Sequence, residues 1–274
     1  MQLRAAVLGS PVAHSLSPAI HRAGYAALGL GGWSYDAIDV PREGLAGFVA
    51  GLDATWRGLS LTMPLKEVAF DVATTVSEVA RAAGAINTLV RREDGGWDAT
   101  NTDVAGLARA LRGASHDGTA TVVGAGATTR SAVLALGTLG VERVRVAARR
   151  PEAVADVVRW ASSLPGPAPR VVGVPLAEWV RTDDRLFVAT LPPEPSAAMG
   201  ALVAASDLAY DGAVLLDVVY AGWPTPLARA ASAAGMRVVS GVDMLVHQGA
   251  EQFRLFTGHE APLEAMLAAV ASYR

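Results

Sequence analysis

Cysteine is absent from the 274-residue chain. Its absence excludes disulfide bonds, thiolate metal sites and cysteine nucleophiles together. A chain without cysteine suits a reducing compartment, so we expect a cytoplasmic protein. Histidine is scarce, and its positions show no metal-ligand spacing, so no metal site is expected. The histidines are His14, His21, His116, His247 and His259.

Strong charge and long apolar runs are lacking as well. The formal net charge is only −3, which argues against a polyanion such as nucleic acid as a partner. No uncharged apolar run approaches the ~18 residues that a membrane helix needs, and the apolar patch near the N-terminus is too short for the core of a signal peptide. A soluble protein without a membrane partner is expected. The G-x-S-x-G motif is missing too, which argues against a serine hydrolase.

The remaining composition is that of a folded globular protein. Hydrophobic residues make up 51% and charged residues 18% of the chain, and the length suggests about two domains. Apolar runs of strand length alternate with segments of helical length, which indicates βαβ units and parallel sheets covered by helices. The predicted fold class is therefore α/β. The expected strands include 5–9, 120–126, 143–149, 185–190 and 213–219, and the expected helices include 128–139 and 151–163.

The stretch GLSLTMPLKE at 58–67 combines a strand pattern with one charged group near its end. Leu59, Leu61 and Met63 alternate with small or polar residues, which predicts a short strand with one buried face. Pro64 ends the strand, because proline cannot donate to a sheet ladder. Lys66 follows as a lone ammonium group, for which a solvated surface position is the commoner fate.

The segment ATVVGAGATTR at 120–130 predicts a strand, a glycine loop and a helix in that order. Gly124 permits the tight turn, and Gly126 lets the backbone approach a pyrophosphate at the helix N-terminus. Thr129 stands where the usual fingerprint has its third glycine, so the match is partial. The segment favours a nucleotide site, with an ordinary tight turn as the alternative.

The end of the next predicted strand, AARRPE at 147–152, indicates which nucleotide binds. An NAD-binding fold usually has Asp or Glu here to bind the ribose 2′-hydroxyl. Arg149 and Arg150 occupy the position instead, and guanidinium groups suit a 2′-phosphate. NADP is therefore favoured over NAD, and a solvated basic turn is the alternative.

Five polar clusters interrupt the apolar segments. They are GSPVAHSLSP at 9–18, SLTMPLKE at 60–67, AGAINTLV at 83–90, ATNTDVAGL at 99–107 and DMLVHQGAEQF at 243–253. Together they resemble the motifs of the shikimate dehydrogenase family, which they match in order from Gly9 to about Gly258. Methylene-tetrahydrofolate dehydrogenases have a similar two-domain plan, but they do not explain the S-x-S and N-T-D clusters.

The resemblance implies a two-domain α/β architecture. An α/β substrate-binding domain would comprise residues 1–103 and 242–274, and a Rossmann domain with a doubly wound parallel sheet would bind NADP over residues 104–241. The C-terminal helices are expected to return to the first domain, a point that the residues alone leave open. The resemblance leaves the oligomeric state open between a monomer and a homodimer.

The resemblance also implies the residues around a small-molecule substrate. Lys66 matches the catalytic lysine and Asp103 its partner, while a role of Asp103 as the N-cap of the next helix is compatible with this. The serines and the tyrosine are expected at a substrate carboxylate, and Asn87 and Asp103 at ring hydroxyls. The implied substrate-binding residues are Ser15, Ser17, Thr62, Asn87, Asp103, Tyr220 and Gln248.

The implied cofactor site combines a phosphate loop, an arginine clamp and a residue beside the nicotinamide, Met244. The chain departs from the family motifs at four places: Ser60 and Val188 stand for Asn, Ala127 for a glycine, and Ala148-Arg149-Arg150 for N-R-T or N-R-S. The chain thus has arginines at the clamp for the 2′-phosphate, but the residues beside them differ from the family motif. The implied cofactor-binding residues are Gly124, Ala125, Gly126, Ala127, Arg149, Arg150, Thr190, Gly241 and Met244.

The implied function is the NADP-dependent, reversible reduction of 3-dehydroshikimate to shikimate in the biosynthesis of chorismate and aromatic amino acids. Reducing a ketone requires hydride on carbon and a proton on oxygen, and a positioned ammonium group can supply that proton. The alternatives are a quinate or aminoshikimate dehydrogenase of the same fold, with NADP or NAD, and a non-catalytic relative that senses NADP or a metabolite. Loss of the lysine–aspartate pair would indicate the sensor, and both residues are present.

Overall fold

The computed structural model describes residues 2–166, 168–206 and 210–273. The chain divides into two compact units. Unit 1 comprises Met1–Gly106 and Leu245–Ala271, and unit 2 comprises Leu107–Met244 and Ser272–Arg274. The expected boundaries after residues 103 and 241 compare with observed boundaries after residues 106 and 244, and the end of the chain groups with unit 2.

Unit 1 combines a six-stranded sheet with short helices. Its strands are β1 (Leu3–Gly9), β2 (Trp33–Asp39), β3 (Trp56–Leu61), β4 (Thr75–Val76), β5 (Thr88–Arg91) and β6 (Trp97–Thr100). The helices of the N-terminal segment are α1 (Ser17–Ala27), α2 (Leu45–Ala50), α3 (Glu78–Ala83) and α4 (Asp103–Ala110), the last of which continues into unit 2.

The sheet of unit 1 is mixed. The strand order is β2-β1-β3-β5-β6-β4, with β1 parallel to β2 and β3, and β5 antiparallel to β3 and β6. The pairing of β5 therefore departs from the parallel sheets that the alternation of strands and helices indicates. The reason is local, because the segment 92–96 between β5 and β6 is too short for the crossover that parallel strands need. Gly95, with φ 88°, lies in the turn.

Unit 2 is built on a second six-stranded sheet, in the order β12-β11-β10-β7-β8-β9, and all its strand pairs in the described ranges are parallel. The order changes direction between β7 and β10, the kind of place where open α/β sheets bind ligands. The predicted α/β class with a doubly wound Rossmann sheet is confirmed. The strands are β7 (Thr119–Val123), β8 (Arg143–Ala147), β9 (Arg170–Val174), β10 (Leu186–Ala189), β11 (Val214–Asp217) and β12 (Arg237–Ser240), and the helices are α5 (Ala127–Thr138), α6 (Pro151–Ser162), α7 (Ser196–Ala204) and α8 (Pro226–Ala233).

The C-terminal helices α9 (Gly241–Thr257) and α10 (Leu263–Ala268) belong to unit 1 from Leu245 onward. Phe256 of α9 packs on β3 at Gly58, where a Cβ atom would lie 2.0 Å from the ring. Phe253 packs on α1 at Gly24, where a Cβ would lie 2.7 Å from the ring. Two glycines therefore make room for α9 close to the sheet.

Each unit has its own apolar core. In unit 1, α2 contributes Leu45 and Val49 to a cluster with Trp56 of β3. In unit 2, Phe187 packs edge-on against Trp179 and Tyr210, with ring centroids 5.9 and 6.0 Å apart. None of the helices in the described ranges is long and apolar enough to cross a membrane.

Candidate active site

Lys66 and Asp103 form an ion pair in unit 1. The lysine Nζ lies 2.6 Å from Asp103 Oδ2, with 21% of the lysine side chain and 7% of the aspartate side chain exposed. Lys66 is therefore held by a largely buried partner and is not the freely solvated lysine of the alternative interpretation. A charge-assisted bond of this length fixes the direction of the ammonium group.

Backbone contacts set the position of Lys66. β3 ends just before Thr62, whose carbonyl accepts from Leu65 N–H at 2.8 Å and closes a turn that contains Pro64. The Lys66 carbonyl accepts from Ile86 N–H at 2.8 Å. This bond ties the lysine to the segment that leads into β5.

Asp103 is the first residue of α4. The side chain of Asn101 accepts from the backbone N–H groups of Asp103 and Val104, at 3.0 and 3.4 Å. Asn101 therefore caps the helix, which leaves the Asp103 carboxylate to accept from Lys66 and Asn87. The N-terminus of α4 also favours a negative charge at this position.

Asn87 connects the ion pair to the interior of unit 1, where it is 2% exposed. Its Oδ1 accepts from the Thr102 backbone N–H at 2.8 Å, and a backbone N–H can only donate. The amide oxygen must therefore face Thr102, so Nδ2 faces Asp103 and donates to its Oδ1 at 2.8 Å. One backbone group thus helps to set the direction of the amide beside the ion pair.

Gln248 of α9 joins the same cluster. Its Nε2 donates to Leu245 O at 3.0 Å, and its Oε1 accepts from Thr102 Oγ1 at 3.2 Å and from Asn87 Nδ2 at 3.4 Å. The structure therefore brings together four of the residues predicted from the sequence: Lys66, Asn87, Asp103 and Gln248.

Ser15, Ser17 and Thr62 lie near the ends of two neighbouring parallel strands. The Ser17 N–H donates to Ser15 Oγ at 3.3 Å, and Ser17 is buried while Ser15 is half-buried. The Thr62 methyl group packs against Gly9, where a Cβ would come within 2.3 Å of it. Because β1 and β3 are parallel neighbours, Thr62 and the loop after Gly9 lie at the carboxyl edge of the sheet, where α/β folds bind ligands.

Buried polar side chains that the sequence did not identify lie beside this cluster. The Tyr35 hydroxyl donates to Ser60 Oγ at 2.6 Å, and the Ser60 hydroxyl donates to Gln252 Oε1 at 2.8 Å. Burial raises the pKa of Tyr35, and hydrogen bonds with Ser60 and Ser17 oppose the rise. Ser60, known from the sequence only as a departure from the family motif, thus has a defined place in a buried network.

His21 stacks on the ring of Tyr35, with centroids 4.0 Å apart and planes 11° apart. Burial lowers the pKa of His21 to about 3, and the neighbouring Gln252 opposes the shift in part. The imidazole is therefore neutral at physiological pH and serves as an aromatic packing group.

Thr88 is another buried residue of this kind, and its hydroxyl donates to Asn87 Oδ1 at 2.7 Å. Gln252 and Thr88 both had signals in the sequence. Gln252 follows Gln248 by four positions, a spacing that places both amides on one face of a helix. Thr88 directly follows Asn87 at the start of β5. Tyr35 had no such signal, because a tyrosine in a short strand is most simply read as part of the core.

A cavity of about 720 Å³ in unit 2 lies beyond the carboxyl end of β7. Glu194 and the turn after β10 also contribute to its lining. The predicted cofactor residues that line it are Gly124, Ala125, Gly126, Arg149, Arg150 and Thr190.

The residues around this cavity fit NADP. A Cβ on Gly126 would meet nothing within 4 Å, so the loop leaves open space in front of the first turn of α5. A helix N-terminus with open space before it suits a pyrophosphate. Arg149 and Arg150 are exposed at the start of α6, where their guanidinium groups suit a 2′-phosphate.

Thr129 takes the place of the missing third glycine. Its hydroxyl accepts from Gly126 N–H at 3.1 Å and lies 2.8 Å from Thr190 Oγ1. Gly124 has φ 131°, and a Cβ there would lie 2.2 Å from Thr190 Oγ1. The two threonine hydroxyls therefore brace a turn in which Gly124 has no room for a side chain.

Three predicted cofactor residues are not among the described residues that line this cavity. Ala127 is the first residue of α5, and Gly241 and Met244 lie in the first turn of α9. A Cβ on Gly241 would come within 2.2 Å of Val218 O. Close contact with the backbone after β11 therefore explains the glycine at this position.

Tyr220 belongs to unit 2, whereas the other predicted substrate-binding residues belong to unit 1. Asp217 anchors the loop that carries it, because its carboxylate accepts from Val219 N–H at 3.1 Å and from Thr225 Oγ1 at 2.7 Å. Burial raises the pKa of Asp217, against these two hydrogen bonds, and burial also raises the pKa of Tyr220.

Comparison with known proteins identifies the family. Residues 7–89 match the family model of the shikimate dehydrogenase substrate binding domain, and residues 241–271 match that of the shikimate 5′-dehydrogenase C-terminal domain. The chain is 36% identical over 272 residues to the shikimate dehydrogenase (NADP(+)) of Synechococcus sp. (strain JA-3-3Ab), across 95% of this chain and 90% of that protein. The chain belongs to the shikimate dehydrogenase family. The resemblance drawn from its polar clusters is confirmed.

Solved structures related to the shikimate dehydrogenase family share the fold over the whole chain. The shikimate 5-dehydrogenase from Thermus thermophilus, in complex with NADP(H) and shikimate, is 34% identical with a TM-score of 0.83 over 100% of both chains. The quinate dehydrogenase from Corynebacterium glutamicum, in complex with NAD, is 29% identical with a TM-score of 0.82 over 99% of both chains. The fold therefore does not by itself distinguish the two substrates.

Proposed function

We propose that this chain catalyses the NADP-dependent, reversible reduction of 3-dehydroshikimate to shikimate, a step in the biosynthesis of chorismate and aromatic amino acids. The observation that carries the proposal is Lys66 held 2.6 Å from Asp103, with Asn87 donating to the same carboxylate. A sensor without catalysis has no need of such a pair. We further propose that the enzyme works in the cytoplasm as a monomer or homodimer, and the absence of cysteine supports that location.

Lys66 performs the proton transfer. As the ketone of 3-dehydroshikimate is reduced, negative charge develops on its oxygen, and the ammonium group stabilises this charge and donates a proton. Asp103 orients the ammonium group and balances its charge. In the oxidation of shikimate the neutral amine accepts the proton of the same hydroxyl group.

The other polar residues bind the substrate. The hydroxyl groups of Ser15 and Ser17, near the start of α1, would donate hydrogen bonds to the substrate carboxylate. Tyr220 would approach the same carboxylate. Asn87, Asp103 and Gln248, already joined by hydrogen bonds, would hold the ring hydroxyls together with Thr62. The position of Ser15, Ser17 and Thr62 near the carboxyl edge of β1 and β3 supports their assignment.

The residues around the cavity of unit 2 would hold NADP. When bound, the reduced cofactor supplies the hydride. The loop from Gly124 to Ala127 and the N-terminus of α5 would hold the pyrophosphate, and Arg149 and Arg150 the 2′-phosphate. Thr190, Gly241 and Met244 complete the proposed set.

One assay tests the proposal. The purified protein is given shikimate or quinate, each with NADP⁺ or NAD⁺, and formation of the reduced nicotinamide is followed by absorbance. The pair of shikimate and NADP⁺ is expected to have the highest kcat/KM. The likeness to a quinate dehydrogenase makes quinate with NAD⁺ the competing result, and a folded protein inactive with all four pairs would support the sensor.

A further inference from the structure

A line of buried hydrogen bonds leads from Tyr35 to the catalytic ion pair. Its six donor–acceptor distances, in order, are 2.6, 2.8, 2.9, 2.7, 2.8 and 2.6 Å. We call this line the polar chain. Its members, in order, are Tyr35, Ser60, Gln252, Thr88, Asn87, Asp103 and Lys66.

Gln252 is the branch point of the polar chain and is 1% exposed. Its Nε2 donates to Asn87 O at 3.1 Å and to Thr88 Oγ1 at 2.9 Å, and its Oε1 accepts from Ser60 Oγ at 2.8 Å. Both hydrogens of the amide are thus used. Gln252 contacts the main chain of Asn87 and, through Thr88, its side chain.

Groups that can only donate or only accept set the direction of the polar chain. The Asn87 carbonyl only accepts, so the nitrogen of the Gln252 amide must face it. Thr88 then receives from Gln252 and donates to Asn87 Oδ1 at 2.7 Å. This leaves Asn87 Nδ2 to donate to Asp103. The Asn87 carbonyl also accepts from Leu61 N–H at 2.8 Å, and a reversed Gln252 amide would place its own oxygen against this carbonyl oxygen, two acceptors that repel each other.

We propose that Gln252 is a positioning residue for the lysine–aspartate pair. It holds Asn87 in the orientation that donates to Asp103, and so keeps the carboxylate aligned with the Lys66 ammonium group. Gln252 acts through Thr88 and Asn87 and does not touch the reacting atoms. The inference rests on the proposed dehydrogenase function and extends it to a residue outside the set implied by the family motifs.

The kinetic test uses Gln252→Met, which keeps the length of the side chain and removes its hydrogen bonds. We expect kcat for shikimate oxidation to fall about tenfold, the effect of ~1.4 kcal/mol on a barrier. The KM for NADP⁺ should stay within about twofold, because the cofactor cavity is lined by residues of unit 2. The pH profile of kcat should change as well, because the substitution disturbs the geometry of the ion pair that handles the transferred proton.

Variants of Thr88 test whether Gln252 acts on Asn87 through the Thr88 hydroxyl. Thr88→Val should reproduce the kinetic effect of Gln252→Met, and the double variant should lose about as much as the more impaired single variant, because both act through Asn87. Thr88→Ser keeps the hydroxyl and should retain nearly the full kcat. If Gln252→Met does not fold, the two Thr88 variants carry the test.

A second measurement does not depend on turnover. Lys66 is the only lysine in the chain, so protein labelled with ¹³C- and ¹⁵N-lysine gives one set of side-chain NMR signals. At pH 7 and without substrate, this set should shift in Gln252→Met. Phe253, the next residue on α9, is buried and packs on Tyr25 with ring centroids 5.4 Å apart. The control variant is Phe253→Leu. It should lower Tm but leave the lysine signals, kcat and pH profile unchanged.

The outcomes distinguish a failure of the proposed dehydrogenase function from a failure of the positioning role of Gln252. If the unmodified protein oxidises no shikimate, the proposed function fails and the lysine signals alone decide the role of Gln252. If it oxidises shikimate and Gln252→Met keeps its kcat, pH profile and lysine signals, the positioning role is overturned. It is equally overturned if Phe253→Leu changes all three, because the effect would then be a general loosening of α9.

Discussion

At the scale of single residues, the supply of ammonium groups is limited to one side chain. The chain has 23 basic residues counted as lysine and arginine, and only Lys66 is a lysine. Arginine remains protonated in proteins and so cannot exchange a proton with substrate. The one side chain of this type is the one that the fold places 2.6 Å from a largely buried carboxylate.

Removing this group should abolish most of the activity and little else. We expect Lys66→Ala to lower kcat by about 10²–10⁴-fold, the usual effect of losing a positioned general acid. NADP⁺ affinity, measured by titration calorimetry, and the circular dichroism spectrum should stay close to those of the unmodified protein. Arg57→Ala removes an exposed cation from the same segment and should leave kcat unchanged. A variant of Lys66 that changed only KM would have a binding role instead.

His21 should make unit 1 sensitive to acid. Its pKa is about 3 in the folded protein against 6.5 for an ordinary histidine, so between these values the unfolded chain binds a proton that the folded chain excludes. The stabilising contribution is present above pH 6.5 and is lost as the pH falls toward 3. For each unit by which the pH falls in this range, the free energy of unfolding should therefore decrease by up to about 1.4 kcal/mol more in the unmodified protein than in His21→Phe.

Urea unfolding at pH 7, 6, 5 and 4 measures this difference. His259 is exposed, so His259→Gln should follow the pH dependence of the unmodified protein. Parallel curves for the unmodified protein and His21→Phe would show that His21 is not the acid-sensitive group.

At the scale of elements, the position of α9 depends on a glycine in β3. A Cβ at Gly58 would lie 2.0 Å from the ring of Phe256, so Gly58→Ala must displace the ring or the helix. Such overpacking typically costs ~1–3 kcal/mol. We expect urea unfolding to show a loss of that size, with lower kcat, because α9 also carries Gln248.

Gly47 provides a control of opposite sign. It is exposed within α2, and a Cβ there would meet nothing within 4 Å. Gly47→Ala should therefore stabilise the protein by ~0.5–1 kcal/mol, since glycine is unfavourable inside a helix. Equal effects of the two substitutions would contradict the packing argument for Gly58.

The turn between β8 and α6 should determine the preference for NADP⁺ over NAD⁺. Replacing Arg149 and Arg150 together with glutamine should abolish the preference for NADP⁺ over NAD⁺, because a charge-assisted contact is worth roughly 1.5–3 kcal/mol. The change is measured as the ratio of kcat/KM values, which should fall by about tenfold or more. Arg143 and Arg170 are exposed at the first residues of β8 and β9, and Arg143 lies at the opposite end of β8 from Arg149, so their double glutamine variant should keep the preference. Equal use of both cofactors by the unmodified protein would reject this role for the turn.

Local patterns predicted the elements of unit 2 better than those of unit 1. The helices expected at 128–139 and 151–163 are observed as Ala127–Thr138 and Pro151–Ser162. Strands that alternate with helices around a parallel sheet produce a regular pattern of apolar residues in the sequence. The antiparallel pairing of β5 left no such trace in the apolar pattern. The place of Gln252 in the polar chain depends on contacts with Ser60 and Asn87, residues far away in sequence, which no local pattern can show.

At the scale of the whole molecule, the substrate residues come from distant parts of the chain. Lys66 and Asn87 precede the main segment of unit 2, Leu107–Met244, and Gln248 follows it. The hydrogen bonds that Gln248 accepts from Asn87 and Thr102 therefore form only when α9 packs into unit 1. A change that displaces α9 far enough to break these bonds should affect catalysis as well as stability, so substrate discrimination should be measured on the complete chain.

The complete protein is expected to prefer shikimate strongly over quinate. Ser15 and Ser17 are joined by a 3.3 Å hydrogen bond, and Ser17 is only 5% exposed, so we expect little free volume beside the hydroxyl groups proposed to hold the carboxylate. Quinate has a saturated ring and an extra hydroxyl on the carbon that bears this carboxylate. Burying that hydroxyl without a partner costs ~1–3 kcal/mol. Steady-state oxidation of each compound with saturating NADP⁺ measures the preference.

Ser163→Ala, at an exposed position in unit 2, should leave the ratio unchanged. A ratio of kcat/KM values below about threefold, smaller than the energy argued here allows, would instead mean that the pocket pairs the extra hydroxyl, directly or through a water molecule.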